Sequence, residues 1–330
     1  MSRIAIIGAG AWGTAITLAL TRNNNHDLIL WAHAPAHADE IKSHRENRRY
    51  LPGFPLVPSI AITSSLEEAV TDAEIVVSVT PSEYLRSTVR AIAPQLTQGT
   101  ILVSASKGIE ETTHLRMTQV MQSLTDAHIA VLGGPSFAKE VAAAKPTAAV
   151  IGTSEAAIAQ RLQRDFSTES FRIYTNDDVT GVEMGGALKN VIALAAGVVA
   201  GLELGNNASA ALITRGMAEM TRLASACGAK PETLSGLAGI GDLVLTCTGS
   251  LSRNRTVGVE LGKGRKLPEI LASLNGKVAE GVRCTSAALG LAEQHKVEMP
   301  ITEQMNLILH HNKAPVDAIR DLMTRPGRYE

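Results

Sequence analysis

The stretch Arg3 to Thr21 reads RIAIIGAGAWGTAITLALT, and its interpretation decides the fold. Arg3 to Ile7 is a short apolar run suited to a buried strand, and Thr14 to Thr21 continues as a helix. Between them Gly8, Gly10 and Gly13 follow the spacing G-x-G-x-x-G, with Ala11 and Trp12 inside it. The first glycine permits a tight turn, the second lets backbone approach a pyrophosphate, and the third lets helix pack on strand. The helix N-terminus then faces the anion. Alone, such glycines mark only a turn; between a strand and a helix they predict dinucleotide binding.

Working outward, Asp27 to Trp31 is the second strand. In NAD-selective domains its end carries an acid for the ribose 2′-hydroxyl, about 20 residues past the glycines. Here Ala32 and His33 stand there, with no acid before Asp39. A 2′-phosphate is not repelled, so NADP is expected at least as readily as NAD, with His33 a candidate contact to it. The basic segment His44 to Gly53 ends in a turn signal and reads as a solvated loop.

Glu74 to Thr80 and Thr100 to Ser104 are further strands, the second running into Lys107. Ligands of an open parallel sheet sit beyond the carboxyl ends of its strands, which makes Lys107 a candidate contact. His128 to Leu132 is followed by Gly133 to Ala138, where Gly134 and Ser136 can offer N–H and hydroxyl groups to an oxyanion. Ala148 to Ile151 and Arg172 to Thr175 complete the sheet, with the helix Glu155 to Phe166 between them.

Beyond Asn176 to Asp178, a set of helix-capping residues, strand signals stop. Helical patterns follow at Ala208 to Cys227, Lys277 to His295 and Ile301 to Asn312. The expected architecture is α/β, an N-terminal Rossmann-type doubly wound sheet over 1–180 and an all-helical C-terminal domain over 181–330.

Glu183 to Gly205, EMGGALKNVIALAAGVVAGLELG, opens the helical half with a single lysine, Lys189. Its uncharged run from Val191 to Leu202 is too short to span a bilayer and suits a core helix. Lysine is almost never fully buried unless paired, so Lys189 needs an anionic partner, an exit to solvent or a chemical task. Its expected place at the seam between domains is where small-molecule sites often lie. Further on, Gly236 to Asp242 is a glycine-rich turn ending in an acid. Ser252, Arg253 and Asn254 at a helix start match the needs of a phosphate for charge, side-chain donors and free N–H groups.

Over 330 residues the net charge is −1. That balance speaks against nucleic acid or a charged membrane surface as partner. Cys227, Cys247 and Cys284 lie far apart without a C-x-x-C pair, which argues against a disulfide framework or metal site and fits a reducing compartment. The opening strand leaves no room for a signal peptide, so a cytoplasmic protein is expected.

Taken together, GAGAWGTA at 8–15, NRRYLPG at 47–53, SKGIE at 106–110 and GPSFAKE at 134–140 are similar to one family in order and spacing. So are GGALKNVIALAAG at 185–197, LAGIGDLVLTCTGSLSRNR at 237–255 and AEGV at 279–282. The chain resembles the soluble bacterial NAD(P)-dependent glycerol-3-phosphate dehydrogenases over essentially its whole length. The resemblance implies reversible reduction of dihydroxyacetone phosphate to sn-glycerol 3-phosphate for phospholipid synthesis, a cytoplasmic location and a homodimer.

It implies Lys189 as the catalytic proton acceptor in alcohol oxidation. Lys107, Gly134, Ser136, Asp242, Ser252, Arg253 and Asn254 then correspond to substrate contacts. Ala11, Trp12, His33, Tyr50, Lys107, Ala138, Arg253, Val278 and Glu280 correspond to cofactor contacts. Ala11 and Ala32 stand where other members can carry polar or basic side chains.

Reducing a ketone requires a proton or positive charge at the oxygen where negative charge develops. Lys189 can supply it, Lys107 can polarise the same oxygen, and Asp242 can orient Lys189 or a substrate hydroxyl. Two other readings stay open on the residues alone. One is a dehydrogenase of β-hydroxy acids, against which the Ser252 to Asn254 block speaks; the other is a cofactor-binding redox sensor without turnover.

Overall fold

Along β1 (Ser2–Ile7) the side chains alternate between two apolar layers, Ile4 and Ile6 on one side and Ala5 and Ile7 on the other. A strand covered on both faces must do this, because successive side chains point to opposite sides of the sheet. The computed structural model describes residues 2–23, 26–274 and 279–327.

The chain continues through α1 (Ala11–Thr21), β2 (His26–Trp31), α2 (Pro35–His44), β3 (Ala61–Thr63) and α3 (Leu66–Val70). Next come β4 (Ile75–Ser78), α4 (Ser82–Ile92), β5 (Ile101–Ser104), α5 (Met117–Gln122) and β6 (His128–Gly133). α6 (Ala138–Ala142), β7 (Thr147–Gly152), α7 (Ala156–Phe166) and β8 (Phe171–Asn176) complete the set. They build an eight-stranded sheet in the order β3-β2-β1-β4-β5-β6-β7-β8. Its neighbours are parallel except β6 and β7, which are antiparallel. Strand order reverses between β1 and β4, and the crevice at such a reversal is where open α/β sheets take their ligands.

By its contacts the chain separates into one unit of Met1–Lys107 and Leu115–Glu183 and another of Gly108–His114 and Met184–Glu330. The change of unit falls inside α8 (Val179–Gly201), a helix of 23 residues. Asp178 caps it, its Oδ1 accepting from Gly181 N at 2.8 Å while its own N–H donates to Asn176 Oδ1 at 2.8 Å. By length and composition α8 would suffice to cross a membrane, but its most apolar window is 89% buried in the protein, so it is a core helix.

The second unit adds α9 (Gly205–Ala226), α10 (Pro231–Leu234), a π-helical turn (Leu237–Gly241), α11 (Asp242–Thr248) and α12 (Arg253–Gly262). It ends with α13 (Leu267–Ser273), α14 (Glu280–His295), α15 (Pro300–His310) and α16 (Pro315–Met323). No strand occurs there among the described residues.

Small residues let α8 and α12 touch backbone to backbone. A Cβ on Gly197 would lie 2.2 Å from Arg255 O, and one on Gly258 would lie 2.0 Å from Leu194 O. One turn further along, a Cβ on Gly201 would meet Val259 O at 2.3 Å. The crossing is thus a small-xxx-small contact that side chains would force apart, and it sets the start of α12 against the middle of α8.

Candidate active site

In the first unit the glycine turn has the shape of a cradle. Gly8 adopts φ +129°, and a Cβ there would meet Val79 O, just past β4, at 2.9 Å. A Cβ on Gly13 would strike Gly8 O at 1.9 Å, so the start of α1 packs directly on the turn. Gly10, by contrast, has nothing within 4 Å of its missing Cβ, which leaves open the side on which a pyrophosphate approaches. Ala11 begins α1, and the buried Trp12 Nε1 beside it has no hydrogen-bond partner. Buried donors are rarely left unpaired, so this indole N–H points to a ligand. Open backbone at Gly10 and an orphaned donor at Trp12 fit a dinucleotide.

A residue the sequence reading passed over supports the turn from beneath. Asn47 is fully buried, and its Nδ2 donates to Ala9 O at 2.9 Å and to Thr14 Oγ1 at 2.8 Å. Its Oδ1 accepts from Tyr50 N at 3.2 Å and lies 3.1 Å from His37 Nε2. The loop carrying Tyr50 is thereby fastened to the cradle and to α2. His33 is exposed just past β2.

Lys107 follows β5 in the loop after Ser106, whose hydroxyl donates to Thr80 O at 2.5 Å and ties the ends of β4 and β5 together. Gly134 follows β6 at φ +101°, with its carbonyl accepting from Ser136 Oγ at 3.1 Å. Ala138 is the first residue of α6.

The second unit gathers a separate polar cluster around Lys189, which is only 6% exposed. Its Nζ donates to Asp242 Oδ1 and, at 2.8 Å, to Thr246 Oγ1. Asp242 is fully buried at the first position of α11, straight after the π-helical turn. Glycine makes this approach possible, since a Cβ on Gly185 of α8 would lie 2.2 Å from Ala238 O within that turn. Local π geometry is frequent at functional sites; here it aims the carboxylate of Asp242 at the lysine. Neither Thr246 nor Asn190 was read from the sequence, although Thr246 stands four residues after Asp242, on the same face of a helix.

Asn190, next to Lys189, accepts from Asn254 Nδ2 at 2.9 Å through its Oδ1. Asn254 in turn accepts from Gly281 N at 3.0 Å. The amide of Asn254 therefore joins α8, α12 and the first turn of α14, which begins at Glu280. Ser252 caps α12 by accepting from Arg255 N at 3.2 Å. Arg253 is exposed, has no carboxylate partner among the described residues, and starts a helix with no acid in its first turn. Val278 lies outside the described residues.

Burial pushes the Cys247 thiol up to about 12, with the Lys189 charge acting in the opposite direction and Asp242 reinforcing it. Cys247 thus stays protonated beside Lys189 and packs as an apolar neighbour. The three cysteines are unbridged. Among the described residues no group of three His, Cys, Asp or Glu side chains is arranged to hold a metal ion.

Comparison with known proteins adds a full-length likeness. Residues 3–159 match the N-terminal sequence profile of NAD-dependent glycerol-3-phosphate dehydrogenase, and residues 178–320 match the C-terminal one. A glycerol-3-phosphate dehydrogenase (NAD(P)+) of Acidobacterium capsulatum is 58% identical, with 100% of both chains covered. One of Koribacter versatilis is 54% identical over 100% of this chain and 99% of its own. The crystal structure of glycerol-3-phosphate dehydrogenase from Coxiella burnetii is 39% identical and superposes with a TM-score of 0.94, covering 98% of this chain and 99% of that one.

Proposed function

This chain belongs to the NAD-dependent glycerol-3-phosphate dehydrogenase family, and on that premise we propose that Lys189 is the proton donor and acceptor for the oxygen on the substrate's central carbon. The protein is an NAD(P)-dependent oxidoreductase. Its reaction in this reading is the reversible reduction of dihydroxyacetone phosphate to sn-glycerol 3-phosphate, supplying glycerophospholipid synthesis.

The observation that carries the role of Lys189 is its buried pairing with Asp242 and Thr246, next to the Asn190–Asn254 link and the start of α12. A nicotinamide dinucleotide held by the glycine turn and Trp12 would supply the hydride chemistry in either direction. Lys189 Nζ gives its proton to the carbonyl oxygen as charge develops there, and removes the hydroxyl proton in the reverse direction. Asp242 and Thr246 hold Nζ in one place, so little reorganisation is needed at the moment of transfer. Arg253 and the first turn of α12 take the phosphate, for which an unpaired guanidinium at a helix N-terminus is suited. Lys107 polarises the reacting oxygen, with Gly134 and Ser136 as further substrate contacts.

The glycine turn, with Trp12, holds the cofactor pyrophosphate, with His33, Tyr50, Ala138 and Glu280 as further contacts. The absence of an acid after β2 supports use of NADPH at least as readily as NADH. A cytoplasmic homodimer rests on the family resemblance alone. The test is initial-rate oxidation of NADPH and of NADH by dihydroxyacetone phosphate with purified protein. Turnover is expected with NADPH at least as fast as with NADH; binding of nucleotide without turnover would favour the β-hydroxy acid reading first and the sensor reading next.

A further inference from the structure

At the end of β2 the chain offers no acid to an adenosine ribose. Ala32 is buried, its N–H donating to Thr63 O at 2.9 Å. The His33 ring stands edge-on to Trp31 at 5.7 Å between centroids. α2 begins without an acid in its first turn and without a side-chain cap. Nothing on these elements would hold a 2′-hydroxyl in the manner of NAD-selective domains, and nothing acidic in that turn would repel a 2′-phosphate.

Charge is available from the loop that Asn47 fastens to the glycine turn and to His37 of α2. The Tyr50 ring packs edge-on against the His37 ring, with centroids 5.2 Å apart. The Arg49 guanidinium lies over the Tyr50 ring, 5.1 Å from its centroid. The two arginines of this loop differ in one decisive respect. Arg48 Nε lies 3.5 Å from Glu46 Oε2, while Glu46 is itself held by Gly53 N at 2.7 Å. Arg49 is exposed and has no carboxylate partner among the described residues.

We propose that Arg49, presented on the Tyr50 ring, is the residue that selects NADPH over NADH by binding the adenosine 2′-phosphate. The proposal rests on the cofactor reading given above and assigns its selectivity to one side chain. A guanidinium can grip a phosphate through two parallel hydrogen bonds. Stacking on an aromatic face holds it extended beforehand, so less side-chain freedom is lost on binding. Asn47 fixes the loop's base to the turn that takes the pyrophosphate, and the Tyr50 ring beneath Arg49 packs on His37 in the first turn of α2.

The experiment is a fluorescence titration of the full chain with NADPH and, separately, NADH, for wild type, Arg49→Gln and Arg48→Gln. Arg49→Gln is expected to weaken NADPH binding by about 10- to 100-fold, the loss typical of a charge-assisted contact. NADH binding should stay within about twofold, and Arg48→Gln should change both nucleotides much less. Unchanged NADPH binding in Arg49→Gln, or equal weakening of both nucleotides, would overturn the role of Arg49 while leaving the cofactor reading intact. Failure of the wild type to bind either nucleotide would overturn that reading and the proposal with it.

Discussion

Lys189 and Asp242 form a buried ion pair between α8 and α11, with Nζ donating to Oδ1 and Thr246 Oγ1 taking a second hydrogen bond from the same nitrogen. Removing one partner of such a pair leaves the other charge uncompensated, at a cost of about 3–5 kcal/mol. Asp242→Asn keeps the volume and removes the charge. Its unfolding free energy should fall by about 3 kcal/mol and its kcat by more than about tenfold. Urea titration and steady-state rates measure the two, and wild-type values for both would show that the pair has no part in stability or turnover.

Arg253 offers a contrast, since it is exposed and unpaired at the start of α12. Arg253→Ala should raise KM for dihydroxyacetone phosphate by about tenfold or more, the loss of a charge-assisted phosphate contact. Turnover of unphosphorylated dihydroxyacetone at a matched concentration should change little. Equal losses on the two substrates would place the phosphate elsewhere.

Glu219 on α9 supplies a pH dependence that is separate from catalysis. Its carboxylate accepts from Ile301 N at 2.5 Å, Thr302 N at 3.3 Å and Thr302 Oγ1 at 3.2 Å, at the start of α15. Burial nevertheless pushes it up to about 7, against the opposing pull of those hydrogen bonds and of Arg222. The folded state therefore holds this proton more tightly than the unfolded chain. The resulting stabilisation is complete below about pH 4.5 and is lost as pH rises to about 7, a total of about 3 kcal/mol. Glu219→Gln keeps an acceptor and cannot ionise, so its urea midpoint should decline less than that of the wild type between about pH 5 and 8. Parallel declines in the two proteins would assign the pH dependence to other groups.

The sheet was legible in the sequence because its strands are apolar runs bounded by glycine, proline and polar turns. Each of those seven runs overlaps an observed strand, with ends shifted by no more than two residues. β3 escaped notice because its three residues, Ala61–Thr63, are too few for periodicity to register. Nor could spacing show that β7 runs antiparallel to β6, since pairing direction depends on where the connection returns.

The unusual environment of Lys189 was visible as a lone charge in an apolar helix, and Asp242 as an acid closing a glycine turn. Their meeting depends on backbone contact at Gly185, a tertiary approach that residue spacing does not encode. Asn47 shows the same limit. In the sequence it stands before two arginines in a segment that reads as solvated, yet in the fold its fully buried amide supports the glycine turn. The amide of Asn254, read as a phosphate ligand, is engaged by Asn190 and Gly281 as well.

Lys189 moves the proton in this reaction, and the decisive measurement is kcat and NADPH affinity of Lys189→Ala on the same preparation. A fall in kcat of about 10²- to 10⁴-fold is expected, the range for loss of a general acid. The dissociation constant for NADPH, followed by nucleotide fluorescence, should stay within about twofold. A variant that turns over dihydroxyacetone phosphate at close to the wild-type kcat would contradict the assignment.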